Sequence, residues 1–287
     1  MSMMRGTAWS FGYLLAFSNG QDPSSVLSSI MTRTLSIHPR YYRWHVDPGI
    51  DWTEANTGYD TLDWEIRMDR VALVSLDVWD GHYLRETRDR IHAITAGRIS
   101  PLLKVARDTG LSIVHAPGPQ VALQHPNWVR MIDAGEVDWP VHDAWPPKDF
   151  VDRTGPYANF GYPVEPRQPE LEVRRKARKF HPLAEPVGDE PVVANGEELH
   201  RYCKANEFLF LIYFGFNTNY CIVLNDYGTV HMSNRGYTVM LLRDCTTGME
   251  SFETLPRLGQ TRTIIQHLEM SQRFTLTAPE LIGALRE

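Results

Sequence analysis

The stretch Phe208-Leu-Phe-Leu-Ile-Tyr-Phe214 runs without a charge into Gly215-Phe-Asn-Thr-Asn-Tyr-Cys221. An unbroken apolar run that stops at a glycine is the pattern of a parallel strand covered on both faces, because such strands show no polar alternation. Similar runs occur at Val71-Ala-Leu-Val-Ser-Leu76, which ends in Asp77, and over Leu111–Ala116, Tyr237–Leu242 and Phe274–Leu276. Helical signals lie between them. Ser100-Pro101, a capping hydroxyl before a first-turn proline, opens a helix that Gly110 stops, and further helices are expected over Glu197–Ala205 and Thr263–Met270. Thr277-Ala-Pro-Glu280 has capping-box spacing and opens a last helix. Strands alternating with helices predict an α/β fold: a doubly wound, Rossmann-like three-layer sandwich with a mostly parallel sheet of about six strands in the order 3-2-1-4-5-6.

Two regions depart from this pattern. Residues 1–70 mix polar and aromatic residues, Trp44, Trp52 and Trp64 among them, without periodicity, and read as an N-terminal extension to a main domain at 71–287. Within that domain, residues from about 116 to 191 hold 13 of the 19 prolines together with Trp128, Trp139 and Trp145, so a long insertion of loops is expected. Segments of this kind serve as lids or binding surfaces.

Composition narrows the function classes. The chain's 287 residues, 43% of them hydrophobic, suffice for a full core, and the net charge of −6 argues against nucleic acid or anionic lipid as partner. The cluster Arg174-Arg-Lys-Ala-Arg-Lys179 then reads as a solvated helix face. No apolar run approaches the roughly 20 residues of a membrane span. The apolar stretch Ala8–Phe17 is interrupted by Ser10 and Gly12, unlike the core of a secretory leader. Three unevenly spaced cysteines make neither a disulfide framework nor a metal ribbon, so a reducing, cytoplasmic setting is expected. Cys203 and Cys245 read as small buried hydrophobes.

Cys221 is different, because it follows the most hydrophobic strand and precedes an expected helix. At a helix N-terminus the dipole and free amides favour thiolate, and the same amides can hold a developing oxyanion. In a sheet of the expected order, strands 1 and 4 are neighbours at the switch point where ligands bind. Asp77 closes the first of these strands and Cys221 follows the second.

The heptapeptide resembles the nucleophile loop of the isochorismatase-like cysteine hydrolases, with Gly215, Thr218, Asn219 and Cys221 in the motif's fixed places. The resemblance extends to Ala72–Asp77, to Leu103–His115 and to Leu242-Arg-Asp244 with Thr246-Thr247, and so covers roughly 71–287. It implies hydrolysis of a small amide, carbamoyl or related compound by a Cys, Asp and Lys triad, with Cys221 as nucleophile and Asp77 as base. It implies a cis peptide at Phe216–Asn217, oxyanion donors around Asn217, Thr218 and Tyr220, and assembly as a homo-oligomer, a dimer or tetramer.

The sequence departs from the family at two points. The lysine belongs after a short strand introduced by Gly-Asp. Here Gly188-Asp-Glu-Pro-Val-Val193 is followed by Ala194-Asn195-Gly196, with no lysine in place. Three readings follow: Lys176, Lys179 or Arg178 reaches in from the insertion, the enzyme works without a cation, or the chain is a catalytically inactive module that binds a ligand or protein partner. After Asp77 the chain reads Val78-Trp79-Asp80-Gly81-His82, where relatives often have Gln, so Trp79 either walls the pocket or simply packs. Trp79, His82, His115 and Asn195 are the expected pocket residues. Asp80 with His82, and His142 with Asp143, have metal-binding residue types but no third partner, so neither metal nor cofactor is expected.

Overall fold

The computed structural model describes residues 33–136 and 145–287; Trp139, His142, Asp143 and the Ala8–Phe17 stretch lie outside the described residues. Nine strands occur among the described residues: β1 (Thr34–Ile37), β2 (Arg40–Arg43), β3 (Gly58–Thr61), β4 (Trp64–Arg67), β5 (Val71–Leu76), β6 (Ser112–Ala116), β7 (Phe210–Phe216), β8 (Thr238–Thr247) and β9 (Phe274–Leu276). The main sheet has seven strands in the order β3-β2-β9-β8-β7-β5-β6, and β1 pairs separately with β4. From β6 to β9 all neighbours are parallel, while β2 joins β9 and β3 antiparallel.

The parallel part reads 2-1-4-5-6, in the order expected of the doubly wound sheet. Two details differ from expectation. Strand 3 has shrunk to a bridge at Val192, where His115 donates to the Pro191 carbonyl (2.9 Å) and Val193 to that of His115 (2.8 Å). Pro191 has no N–H to give a ladder, and Asn195 already starts a helix, so there is no length for more. At the other edge, residues 40–61 supply two strands that the sequence does not announce. Their side chains are mostly exposed or half-buried, so no apolar alternation marks them.

Alternation along the strands feeds two cores, which makes the sandwich three-layered. Leu73, Ile212, Phe214, Met240 and Leu242 face one side and pack on Leu102, Leu103, Leu281 and Leu285. Ala72, Val74, Leu211, Tyr213 and Leu241 face the other and pack on Leu199, Cys203, Ile222 and Leu268.

The helices used below are α1 (Arg85–Ile94), α2 (Ser100–Thr109), α3 (Gln168–Lys176), α4 (Gly196–Ala205), α5 (Cys221–Leu224), α6 (Thr229–Asn234), α7 (Gly259–Met270) and α8 (Ala278–Arg286). α2 begins at Ser100 with Pro101 in its first turn, as the sequence predicts, but the Ser100 hydroxyl does not cap it. Thr95, Ile99 and Ser100 are all helical, and a π-helical turn over Thr95–Ile99 joins α1 to α2. Proline removes an N–H from the ladder and crowds the preceding turn, and the widened turn is where the helix absorbs this. Gly110 does end α2 in the left-handed conformation, and Thr277 with Glu280 forms the expected capping box. No helix among the described residues is long and apolar enough to cross a membrane.

Candidate active site

The parallel ladder puts β5 beside β7, pairing Leu76 with Gly215, so Asp77 and the cysteine loop leave the sheet side by side. Gly215 is required there: at φ 130° it lies so close to β5 that a Cβ would fall 1.8 Å from the Leu76 carbonyl oxygen. The Phe216–Asn217 peptide is cis, at the position the resemblance implies. Thr218 pins the loop to β8, its amide donating to Thr247 O (3.1 Å) and its hydroxyl sharing a hydrogen bond with Thr246 (2.7 Å). Arg90 fastens the same strand end through Thr247 Oγ1 (2.9 Å) and Gly248 O (3.0 Å).

Asp77 is buried and left-handed, with φ 51°, an uncommon backbone for a non-glycine residue. Its carboxyl faces the Cys221 thiol closely enough for the two to shift each other's ionisation. Tyr227 Oη donates to Oδ1 (3.2 Å) and Asn225 Nδ2 to Oδ2 (3.0 Å). Burial pushes the Asp77 carboxyl up to about 7, against the opposing pull of these hydrogen bonds and of the Arg178 charge. Burial and the neighbouring Asp77 likewise push the Cys221 thiol well above its ordinary value.

This corrects one expectation. The helix after Cys221 is a single turn, α5, whose dipole is short, and desolvation outweighs it. Burial therefore disfavours a preformed thiolate at Cys221. The oxyanion donors also need correction. The amides of Thr218 and Tyr220 are spent on Thr247 O and Asn217 O, both at 3.1 Å. Among the described residues the Cys221 N–H itself keeps no acceptor. The Tyr220 side chain is half exposed.

A cation from the insertion lies near the pair. Arg178 lies with its guanidinium 3.8 Å from the Trp79 ring centre, and its charge favours the ionised forms of both Asp77 and Cys221. Lys179 instead pairs with Asp80 (3.2 Å). The cluster at 174–179 is therefore more than a solvated helix face, because α3 ends at Lys176 and the chain turns Arg178 inward.

Trp79 does wall a cavity of about 300 Å³, which Asp80, His82 and Arg178 also line, and its indole N–H donates to Pro117 O (2.9 Å). His82 stacks on Tyr83, accepts at Nδ1 from the Leu84 amide (3.1 Å), and burial lowers it to about 4, so it is neutral at pH 7. Its Nε2 then carries the proton and sits 3.3 Å from Asn217 Nδ2. Two donors face each other there, and the Asn217 Oδ1 is buried without a partner. Turning the Asn217 amide over resolves both, linking the cavity floor to the cysteine loop.

His115 and Asn195 do not line this cavity. His115 is fully buried against Phe180, with Nε2 2.8 Å from Glu190 Oε2. The Asn195 side chain caps α4 by accepting from the Glu198 amide (2.9 Å). No group of three His, Cys, Asp or Glu residues that could hold a metal occurs among the described residues. Tyr227 and Asn225 escape sequence reading: they follow the cysteine loop in no recognisable spacing, and only the fold returns them to Asp77.

No protein-family model and no curated protein matches this chain. Solved structures do. A cysteine hydrolase from Pseudomonas syringae pv. phaseolicola 1448A matches at 15% identity and TM-score 0.49, over 78% of this chain and 95% of its own. An isochorismatase from Pseudomonas putida KT2440 matches at 15% and 0.45, over 75% and 92%. An isochorismatase family protein from Burkholderia thailandensis matches at 15% and 0.44, over 76% and 97%. All three come from the group that the cysteine loop resembles. With TM-scores below 0.5, they leave the chemistry to this chain's own residues.

Proposed function

We propose that the protein is an isochorismatase-like cysteine hydrolase acting on a small amide, carbamoyl or related compound. The observation that carries this reading is that Asp77 and the Cys221 loop leave the ends of adjacent central strands side by side, where each group shifts the ionisation of the other. An aspartate poised near neutrality by burial is suited to take a proton at working pH and to return it. Asp77 accepts the thiol proton as the Cys221 sulfur attacks the carbonyl carbon, and the Cys221 N–H receives the negative charge on oxygen. Asp77 then protonates the departing nitrogen, leaving a thioester. In the second half Asp77 takes a proton from water, whose oxygen attacks the thioester, and Cys221 leaves with a proton as the acid is released. Arg178 supplies the positive charge expected of the family lysine, and Tyr227 and Asn225 orient the base.

Peptide-mapped alkylation by iodoacetamide tests this. Cys221 is expected to react with a rate that rises through about pH 7 and falls by about tenfold or more in Asp77→Asn, since an amide cannot accept the proton. Equally slow labelling of both forms at every pH would remove the enzyme and leave a ligand-binding module. A homo-oligomer belongs to the same reading, supported by the exposed rings of Trp52 and Phe252. Light scattering that returns the monomer mass would exclude it.

A further inference from the structure

Arg178 heads a short strap, residues 178–181, that runs antiparallel to the segment leaving β5. Trp79 is bridged to Phe180, the Asp80 amide donates to the Lys179 carbonyl (3.1 Å), and the His181 amide donates to that of Val78 (2.9 Å). The strap is also tied to α1, by a pair of histidines. Buried His181 meets half-buried His92, with His181 Nε2 2.9 Å from His92 Nδ1. The same His181 ring accepts at Nδ1 from the Leu183 amide (3.2 Å).

These partners fix both tautomers. A ring nitrogen that accepts from an amide carries no proton, so neutral His181 bears its proton on Nε2 and donates it to His92 Nδ1, which is bare. An added proton then has no place in the contact. On His92 Nδ1 it sets two N–H groups face to face, and on His181 Nδ1 it sets one against the Leu183 N–H. Burial first, and then the His92 charge, hold His181 below the ordinary histidine value, with Asp80 pulling the other way. Asp80 is itself paired with Lys179 (3.2 Å), and Arg88, one turn back along α1, with Asp89 (3.1 Å). His115 and His125 lie against Phe180. No carboxylate is hydrogen-bonded to either ring of the pair among the described residues.

We propose that the His92–His181 hydrogen bond is a clasp that positions Arg178 at the Cys221–Asp77 pair and opens when either ring takes a proton. This rests on the reading of Cys221 as nucleophile and Arg178 as its cation. Arg178 stands three residues before His181 and packs on Trp79 at 3.8 Å, so movement of His181 reaches it along one short antiparallel pair. Opening withdraws a charge that favours the ionised forms of both Asp77 and Cys221. Proton uptake at the clasp therefore promotes proton uptake at the base, and the site loses reactivity in acid more steeply than Asp77 alone would dictate.

Iodoacetamide labelling of Cys221 across pH tests it. On the acid side the native rate should fall by more than one proton per pH unit, whereas His92→Leu, with the clasp already open, should fall by one. At pH 8 His92→Leu should label about three- to tenfold more slowly than the native chain, the effect of a nearby charge on a thiol. His92→Asn, whose Oδ1 stands in for the Nδ1 acceptor, should recover the native rate at that pH. In an Arg178→Gln background neither change at His92 should alter the rate, because the clasp acts through Arg178. A native slope of one, a His92→Leu effect that persists without Arg178, or no recovery in His92→Asn overturns the clasp as a positioning device. If Cys221 does not label at all, the nucleophile reading fails, and the clasp is judged by hydrogen exchange at the Leu183 amide, whose acceptor is His181 Nδ1. Corrected for intrinsic rate, its protection should be present at pH 8 in the native chain, lost in acid, and weak at both in His92→Leu. Protection indifferent to pH and to the substitution overturns the clasp itself.

Discussion

Asp77 and Glu190 lie on the two flanks of β6, one closing β5 and one leading into the bridge at Val192, yet the protein treats them oppositely. Burial opposes ionisation of both. Around Glu190 the compensation is complete: His115 Nε2 at 2.8 Å, Arg107 Nε at 2.7 Å and the Val187 amide at 2.9 Å hold it down at about 2. Around Asp77 the donors are a phenol and a carboxamide, with only Arg178 charged, and the group stays up at about 7. A fully compensated carboxylate is an anchor, and an under-compensated one is a base held at a cost to stability.

The largest break in this contrast comes from removing the cost. Because the folded state raises the Asp77 pKa, its ionisation destabilises: stability is lost as pH rises from the unfolded value through about 7. Asp77→Asn keeps the shape and tolerates the left-handed backbone. It should therefore raise stability near pH 8 by something on the order of 2–4 kcal/mol, or roughly 5–10 °C in Tm, with the gain fading toward pH 4. Thermal melts across pH measure this, and a lower Tm at pH 8 would refute the assignment.

Glu190→Gln should do the reverse. The depressed pKa means stability that is present above the unfolded carboxylate value and lost as pH falls toward about 2. The variant should lose about 1–3 kcal/mol at pH 7, since Arg107 and His115 lose their charged acceptor in a half-buried site, and should be less sensitive to acid than the native chain. Urea unfolding at pH 7 and pH 3 gives both values. Equal stability at pH 7 would mean that solvent already screens the cluster.

How much of this is legible in the sequence follows from range. Asp77, Cys221 and the five parallel strands carry local signatures, because buried strands need continuous apolar runs and the cysteine loop has fixed spacing. His115 and Asn195 look like pocket residues from their places at strand ends, but Glu190 and the start of α4 claim them, and neither partner has a sequence signal. Arg178 stands among five cations between positions 174 and 179, and only the turn after α3 decides which of them faces inward. The edge strands β2 and β3 are too polar and exposed to be marked by periodicity.

The finest test concerns Tyr227, which contacts no expected substrate position and whose role is entirely through Asp77. Its hydroxyl donates to Oδ1 at 3.2 Å and stabilises the ionised form, so removing it should leave the base weaker in charge but higher in pKa. A hydrogen bond of this type contributes roughly 1 kcal/mol, which corresponds to about 0.7 pH unit. Tyr227→Phe should shift the pH profile of Cys221 alkylation upward by about that amount, with the plateau at high pH nearly retained. A loss of plateau with no shift would mean that the ring packs the loop and that the hydroxyl does not tune the base. The contrast with Glu190 would then rest on Arg107 alone, since the difference between anchor and base would lie in a close ion pair and not in the count of hydrogen bonds.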